Sequence, residues 1–229
     1  MISYQEFCLN CEKLFERVSK ACDSCSRNLN SVKILPVTKT HSVEAAFYAF
    51  QRGFLNVGEN KVQEAISKIP LAPESLNWEL IGHLQSNKAK LAVQNFARIQ
   101  SVDSEKLLNK LNANAFEIGK VQRVLLQINA GADPAKFGAD AEDAEKLFVC
   151  AKDCKNISVE GLMAIAPLDS DLSIARKCFA NLRNIKEKLE SAYKISLPEL
   201  SMGMTGDLEC AIEEGSTIIR VGTALFGTR

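Results

Sequence analysis

Short apolar runs alternate along the chain with longer stretches in which apolar residues recur every three or four positions. The first pattern is typical of buried strands, and the second is typical of amphipathic helices. Strands that alternate with helices in this way predict a parallel sheet covered by helices. The eight predicted strands cover residues 32–37, 54–57, 78–81, 97–100, 121–128, 157–162, 199–201 and 217–221.

The amphipathic stretches carry signals for the beginning and end of helices. Ser42 and Ser104 are candidate N-caps, because a serine hydroxyl can accept a hydrogen bond from the first turn of a helix. Gly53, Gly119 and Gly215 follow helical stretches and are candidate C-terminal caps. The predicted helices cover residues 42–52, 86–95, 104–118, 141–154, 172–193 and 207–214.

Eight strand–helix units in 229 residues fit a compact (β/α)8 barrel of the TIM type, which is an α/β fold. An extra helix at residues 3–28 precedes the first strand. We therefore expect a single domain over residues 1–229, with the segment 1–30 packed on the barrel. The alternative is an open doubly wound sheet, which is disfavoured because no glycine-rich dinucleotide-binding sequence follows the first strand.

The first helix contains two cysteine pairs, Cys8 with Cys11 and Cys22 with Cys25, whose spacing suggests a split zinc site. On one continuous helix, however, Cys8 and Cys22 would lie about 21 Å apart. Zinc needs its ligands about 2.3 Å from one point, so packing of the cysteines in the core is the preferred interpretation. The predicted buried stripe consists of Tyr4, Cys8, Cys11, Phe15, Val18, Cys22, Cys25 and Leu29.

Positive and negative charges balance, with 28 Lys and Arg residues against 28 Asp and Glu residues. A neutral chain has no overall attraction to nucleic acid or anionic membranes, so any anion must be bound by a local site. The first residues lack a basic segment followed by an apolar core, and no apolar run reaches membrane-spanning length. We therefore expect a cytoplasmic monomer without nucleic-acid or membrane partners.

Lys39 directly follows the first predicted strand. In a barrel, functional residues collect at the C-terminal ends of the strands. A lysine that loses solvent there can be held neutral, which is the state in which an amine forms a Schiff base with an aldehyde. The alternative interpretation is a solvated surface lysine, since most lysines are exposed.

The loops after the seventh and eighth strands are the usual phosphate-binding loops of barrels. Here they supply Thr205 and the pair Gly222 and Thr223. Glycine lets the backbone approach an anion, while hydroxyl and N–H groups donate to it. Together with the strand-end Lys39 they indicate a phosphate-bearing aldehyde, which describes pyridoxal 5′-phosphate (PLP). The alternative is an ordinary N-cap at Thr205 and a turn glycine at Gly222.

Arg220 precedes the predicted phosphate turn by two residues, and residues two apart in a strand point to the same side. A permanently charged arginine opposite the pyridine nitrogen of PLP would disfavour its protonation and make the ring a weak electron sink. The alternative is a structural arginine paired with Glu213 or Glu214.

The order and content of several short motifs resemble the PLP homeostasis proteins, also called the YggS or proline synthase co-transcribed family. The resemblance runs from about residue 32 to residue 227. The motifs are Val-Thr-Lys-Thr at 37–40, Val-Gly-Glu-Asn-Lys-Val-Gln-Glu at 57–64, Ile-Gly-His-Leu-Gln-Ser-Asn-Lys at 81–88, Gly-Leu-Met at 161–163, Leu-Ser-Met-Gly-Met at 200–204 and Ile-Arg-Val-Gly-Thr-Ala-Leu-Phe-Gly at 219–227.

The resemblance implies a barrel like the N-terminal domain of alanine racemase, with PLP joined to Lys39 as a Schiff base. By this resemblance the phosphate is bound by Thr205, Gly222 and Thr223, and Arg220 faces the pyridine nitrogen. Thr205 departs from the family, which usually has serine there, but the hydroxyl is retained. The remaining residues expected to line the cofactor pocket are Asn60, His83 and Met204.

A PLP racemase needs an acid or base on each face of the substrate carbon. Lys39 could serve one face, but none of Tyr4, Tyr48 and Tyr193 lies at the C-terminal end of a predicted strand. Because the sequence ends at Arg229, we also expect no second domain. We therefore expect a non-catalytic PLP-binding protein of intracellular PLP homeostasis, which stores the cofactor and delivers it to apo-PLP enzymes. The alternatives are a PLP-dependent amino-acid racemase or decarboxylase, and a phosphosugar barrel enzyme that uses Lys39.

Overall fold

Eight parallel strands form the wall of a barrel, and the prediction of a (β/α)8 fold is confirmed. The structure, a computed structural model, describes residues 2–169 and 171–227. A short additional strand, β6, lies outside the wall and pairs with β5. The strands are β1 Lys33–Pro36, β2 Asn56–Glu59, β3 Asn77–Leu80, β4 Arg98–Val102, β5 Gln122–Asn129, β6 Ala139–Asp140, β7 Ile157–Met163, β8 Glu199–Ser201 and β9 Ile218–Val221.

The strand order in the sheet is β1-β9-β8-β7-β5-β4-β3-β2. The two ends of this order meet where Val37 forms a parallel bridge with Gly58. The Thr38 N–H donates to the Gly58 carbonyl at 3.0 Å and strengthens this contact. The barrel is thus nearly closed, and the C-terminal ends of all eight wall strands meet at one mouth.

Helices cover the outside of the barrel and mostly begin and end near their predicted positions. The helix α7 and the strand β8 have the predicted bounds. Two helices, α3 and α9, were not predicted. The helices are α1 Tyr4–Ser24, α2 Glu44–Gln51, α3 Val62–Lys68, α4 Ala89–Asn95, α5 Glu105–Glu117, α6 Ala144–Asp153, α7 Leu172–Tyr193, α8 Leu208–Glu213 and α9 Thr223–Phe226, with short 3-10 turns at Leu29–Ser31, Ile69–Leu71, Ser86–Lys88 and Ala141–Asp143.

The predicted caps are mostly present. The Ser104 hydroxyl accepts a hydrogen bond from the Leu107 N–H, so this N-cap is confirmed. The prediction for Ser42 is wrong, because α2 begins at Glu44 without a side-chain cap. The three predicted C-terminal glycines all have a positive φ, which residues other than glycine rarely adopt. They are Gly53, Gly119 and Gly215, with φ of 92°, 66° and 97°.

The helix α1 packs on the barrel beside α8 and α9. Its buried face differs from the predicted stripe, because Phe15 and Leu29 are exposed. Cys8 and Cys22 lie on one uninterrupted helix, as the core interpretation requires. Among the described residues, no helix is both long enough and apolar enough to span a membrane. The buried face of α1 consists of Phe7, Cys11, Leu14, Val18, Ala21 and Cys22.

Candidate functional site

A cavity of about 740 Å³ opens at the C-terminal mouth of the barrel. The loops after β1, β2, β3 and β8 reach it, as do β9 and the turn that follows β9. The barrel geometry therefore brings together residues that are far apart in the sequence. All eight predicted site residues line this cavity, namely Lys39, Asn60, His83, Met204, Thr205, Arg220, Gly222 and Thr223.

Lys39 is half-buried and lies in the turn directly after β1. Lys68 on α3 is buried behind this turn. It holds the backbone of the turn by donating a hydrogen bond to the Thr38 carbonyl at 2.9 Å. Lys68 also donates to Glu59 and Glu64, each at 2.7 Å. The turn that carries Lys39 is thus connected to β2 and α3 by an ion-pair network.

Glu59 is the fully buried acid in this network and accepts from both Lys68 and Thr38 at 2.7 Å. Burial raises the pKa of the Glu59 carboxyl above its ordinary value, and the hydrogen bonds from Lys68 and Thr38 oppose that shift. Sequence analysis missed the role of Lys68. The signal that could have found it is the pair Glu64 and Lys68, which lie four residues apart and face each other on a helix.

Arg220 is buried in the barrel interior, where its guanidinium donates to the Ser201 hydroxyl and the Ala164 carbonyl, both at 2.8 Å. Burial lowers the pKa of Arg220 to about 10, and the charge of Asp207 opposes the shift. The alternative pairing with Glu213 or Glu214 is wrong. Those two acids bind other arginines, Arg176 and Arg183, on α7.

A chain of hydrogen bonds continues from Arg220 through the barrel. The Ser201 hydroxyl donates to Gln100 at 2.6 Å, and the Gln100 amide donates to Glu79 at 2.6 Å. The Glu79 carboxylate in turn binds Arg98 through two bonds of 2.8 Å. Because β8 and β4 are not neighbours in the sheet, the bond from Ser201 to Gln100 crosses the interior. The orientation of Arg220 is therefore set by side chains inside the barrel.

The two turns predicted to bind phosphate contact each other. The Ala224 N–H in α9 donates to the Thr205 hydroxyl at 3.4 Å. Thr205 is not an N-cap, because α8 begins three residues later at Leu208 and has no side-chain cap. The turn at Gly222 packs closely against the residue after β1, since a Cβ there would approach the Val37 carbonyl to 3.3 Å.

His83 and Asn60 also line the cavity. The Nδ1 atom of His83 lies 3.2 Å from the Oδ2 atom of Asp103. The His83 ring also stacks on the Phe137 ring, with centroids 4.0 Å apart. A Cβ at Gly82 would lie only 2.3 Å from the Asn60 carbonyl. The glycine therefore permits the close approach of the two loops that carry Asn60 and His83.

The loop after β5 also borders the cavity, through Ala135, Lys136 and Phe137. It is held by a bond of 2.8 Å from the Gln127 amide to the Phe137 carbonyl and by the pairing of β6 with β5. Sequence analysis missed this loop, because its sequence has neither strand nor helix periodicity.

Among the described residues, the charged side chains that line the cavity are all positive. Three cationic residues, Lys39, Lys136 and Arg220, line the cavity. None of the described residues that line it carries a carboxylate. The tyrosines lie elsewhere: Tyr4 packs against Tyr48, and the Tyr193 hydroxyl donates to Glu145. The wall thus offers an amine, a guanidinium and hydroxyl donors to an anionic ligand, and no tyrosine is among the described residues that line it.

The chain is similar to known proteins in both sequence and structure. Residues 10–229 match the family described as "Alanine racemase, N-terminal domain". A pyridoxal phosphate homeostasis protein of Aquifex aeolicus is 37% identical over 223 residues, which cover 97% of this chain and 98% of that protein.

Two solved structures extend the comparison. PipY of Synechococcus elongatus, solved with PLP bound, has a TM-score of 0.80 at 37% identity, and the match covers 92% of this chain and 100% of PipY. An alanine racemase of Clostridium difficile has a TM-score of 0.76 at 16% identity, with 94% of this chain and 56% of the racemase covered. The second likeness shows the fold alone.

The fold and the cation-lined mouth define a barrel of the alanine racemase N-terminal-domain class. Within that class, the chain belongs to the family of pyridoxal phosphate homeostasis proteins. The resemblance in the motifs is thereby confirmed.

Proposed function

We propose that this protein binds PLP at the mouth of the barrel and acts in PLP homeostasis, storing the cofactor and delivering it to apo-PLP enzymes. The observation that carries the proposal is the cavity wall, which has three cations and, among its described residues, no carboxylate. The relative from Aquifex aeolicus is called a pyridoxal phosphate homeostasis protein, and PipY was solved with PLP bound. Both support the same ligand here.

The residues present fit PLP by their chemistry. Lys39 supplies the amine for a Schiff base, and the network around Lys68 orients the turn that carries it. The hydroxyls of Thr205 and Thr223 and the turn at Gly222 are donors for a phosphate at one side of the cavity. When bound, PLP supplies an aldehyde that condenses with primary amines.

Arg220 is assigned to the pyridine nitrogen of the cofactor. Its guanidinium stays protonated at neutral pH even though burial lowers its pKa to about 10. A cation at that place disfavours protonation of the ring nitrogen and weakens the ring as an electron sink. Asn60, His83 and Met204 complete the proposed pocket.

The proposed role is non-catalytic. A racemase needs a second acid or base across the substrate carbon, and no tyrosine lines the described part of the cavity. We further propose that the protein is a cytoplasmic monomer built as one domain. The runner-up is an amino-acid racemase or decarboxylase of the same PLP chemistry.

The experiment that tests the proposal combines a visible spectrum with two assays. Purified protein mixed with PLP should show the absorption of a protein-bound Schiff base, which a phosphosugar enzyme would not. The holoprotein should not turn over either enantiomer of alanine, serine or lysine, followed by chirality and by release of carbon dioxide. It should transfer PLP to an apo-PLP enzyme in the same tube.

Turnover at ordinary enzymatic rates, about 1–1000 per second, would contradict the non-catalytic role and favour the racemase or decarboxylase. Binding without turnover and without transfer would leave storage and exclude delivery.

A further inference from the structure

The N-terminal helix α1 carries none of the family motifs, yet it contacts the turn that precedes α8. Arg17 on α1 binds Glu209 through two bonds, Nε to Oε1 at 2.7 Å and the guanidinium NH2 to Oε2 at 3.0 Å. The same NH2 group donates to the Thr205 carbonyl at 2.9 Å. One guanidinium thus holds both the first turn of α8 and the backbone of a residue that lines the cavity.

The same helix also holds the second proposed phosphate turn. The Asn10 side-chain amide donates to the Leu225 carbonyl in α9 at 3.1 Å. The Phe7 ring stacks on Phe226, also in α9, with centroids 5.1 Å apart. The helix α1 therefore contacts both turns at the side of the cavity assigned to phosphate.

Peptide geometry gives the contact with Thr205 a consequence inside the cavity. A trans peptide is planar, and its C=O and N–H point in opposite directions. Because Arg17 binds the Thr205 carbonyl from the outside, the following Gly206 N–H is directed away from Arg17. Gly206 lines the cavity, and a Cβ added there would meet no atom within 4 Å. The backbone at Gly206 therefore borders open space in the cavity.

The charge on Arg17 is already matched. Burial raises the pKa of Glu209, but the hydrogen bonds and charge of Arg17 outweigh burial and hold that pKa below its ordinary value. Glu209 is thus ionised at neutral pH and forms a two-bond ion pair with Arg17. Arg17 therefore contributes geometry to the cavity rather than a free positive charge.

We propose that Arg17 is a positioning residue for the phosphate of the ligand. By binding the Thr205 carbonyl, it fixes the Thr205–Gly206 peptide so that the Gly206 N–H faces the cavity. This inference rests on the proposed PLP site and assigns a function to the helix α1, which the motifs leave unexplained. The helix is then part of the binding site as well as a packing element.

The test compares Arg17→Met with a matched control, Arg27→Met. Arg27 follows α1 and donates to the Ile212 carbonyl at 2.6 Å, so it also links this segment to α8 but at the far end from the cavity. The dissociation constants of PLP and of pyridoxal, which lacks the phosphate, are measured for each variant. Arg17→Met should weaken PLP about three- to tenfold, the cost of a hydrogen bond, and leave pyridoxal unchanged.

Arg27→Met should leave both dissociation constants unchanged, and Arg17→Lys should give a smaller loss confined to PLP, because lysine can still donate one bond. Should Arg17→Met fail to fold, Arg17→Lys carries the same test. An equal loss of PLP and pyridoxal, or no loss of either, would overturn the proposal. Failure of the parent protein to bind PLP would instead refute the proposed function itself.

Discussion

Two buried arginines at opposite ends of the barrel interior differ in what surrounds them. Arg98 lies at the base, at the beginning of β4, and forms ion pairs with Glu79, Glu160 and Glu199. Arg220 lies towards the mouth, on β9, and donates only to neutral oxygen atoms among its described hydrogen bonds. Both are about 4% exposed, so burial alone does not distinguish them.

Their pKa values move in opposite directions. Burial would lower the pKa of Arg98, but the hydrogen bonds and charge of Glu79, with Glu199 and Glu160, outweigh it and raise that pKa. For Arg220 burial dominates, and Asp207 only partly opposes it, so the pKa falls to about 10. The charge at the base is thus neutralised by carboxylates of the protein, whereas no carboxylate among the described residues bonds to the charge at the mouth. We therefore expect changes at the base to affect mainly stability and changes at the mouth to affect mainly binding.

The largest expected effect comes from breaking the base. Arg98→Met would leave the buried carboxylate of Glu79 without an ion-pair partner among the described residues and would remove one of the two partners of Glu199, which costs about 3–5 kcal/mol. The free energy of unfolding, measured by denaturant titration of the ligand-free protein, should fall by that amount. Arg123→Met is the matched control, because Arg123 binds the same Glu160 from a half-exposed position, and it should cost under about 1 kcal/mol. Equal losses in the two variants would contradict the account of the base.

At the mouth, Thr205→Ala should affect binding more than folding. It removes one hydrogen bond to a charged phosphate, which is worth about 1.5–3 kcal/mol. The dissociation constant of PLP should therefore rise roughly ten- to hundredfold, while that of pyridoxal stays unchanged. Calorimetric titration with both ligands measures the difference. Equal weakening of the two would mean that the hydroxyl only supports α9 through Ala224.

The smallest expected effect on stability comes from Arg220→Met. The variant loses two hydrogen bonds, which destabilises the fold. It also removes a buried charge that has no carboxylate bonded to it, which stabilises the fold. We expect the two free-energy changes to offset each other to within about 1 kcal/mol. Its denaturation midpoint should stay near that of the parent while PLP binding weakens. A loss as large as that of Arg98→Met would show that the mouth arginine is also structural.

The sequence predicts those parts of the fold in which the apolar period is complete. The bounds of α7 agree with the structure because its apolar positions recur every three or four residues from end to end. It also predicts which residues meet at the mouth, since a barrel brings the C-terminal ends of its strands together. That is why Lys39 and Arg220, which lie far apart in the sequence, line one cavity.

The sequence does not predict the helix in which a lysine points inward. The helix α3 was missed because Lys68 is read as a surface residue, although it is only 6% exposed. The loop with Lys136 and Phe137 was missed because its position depends on tertiary contacts, such as the stacking of Phe137 on His83. The predicted buried stripe of α1 differs from the observed buried face because apolar residues such as Phe15 also border that face. The sequence therefore does not show where the buried face ends.

The most direct test of the central claim is the site of the covalent bond. The protein is incubated with PLP, reduced with borohydride, digested and mapped by mass spectrometry. We expect a pyridoxyl group on Lys39, at the mouth of the barrel. A label on Lys33, which pairs with Glu199 at the base, or on Lys88 or Lys136 instead, would contradict it.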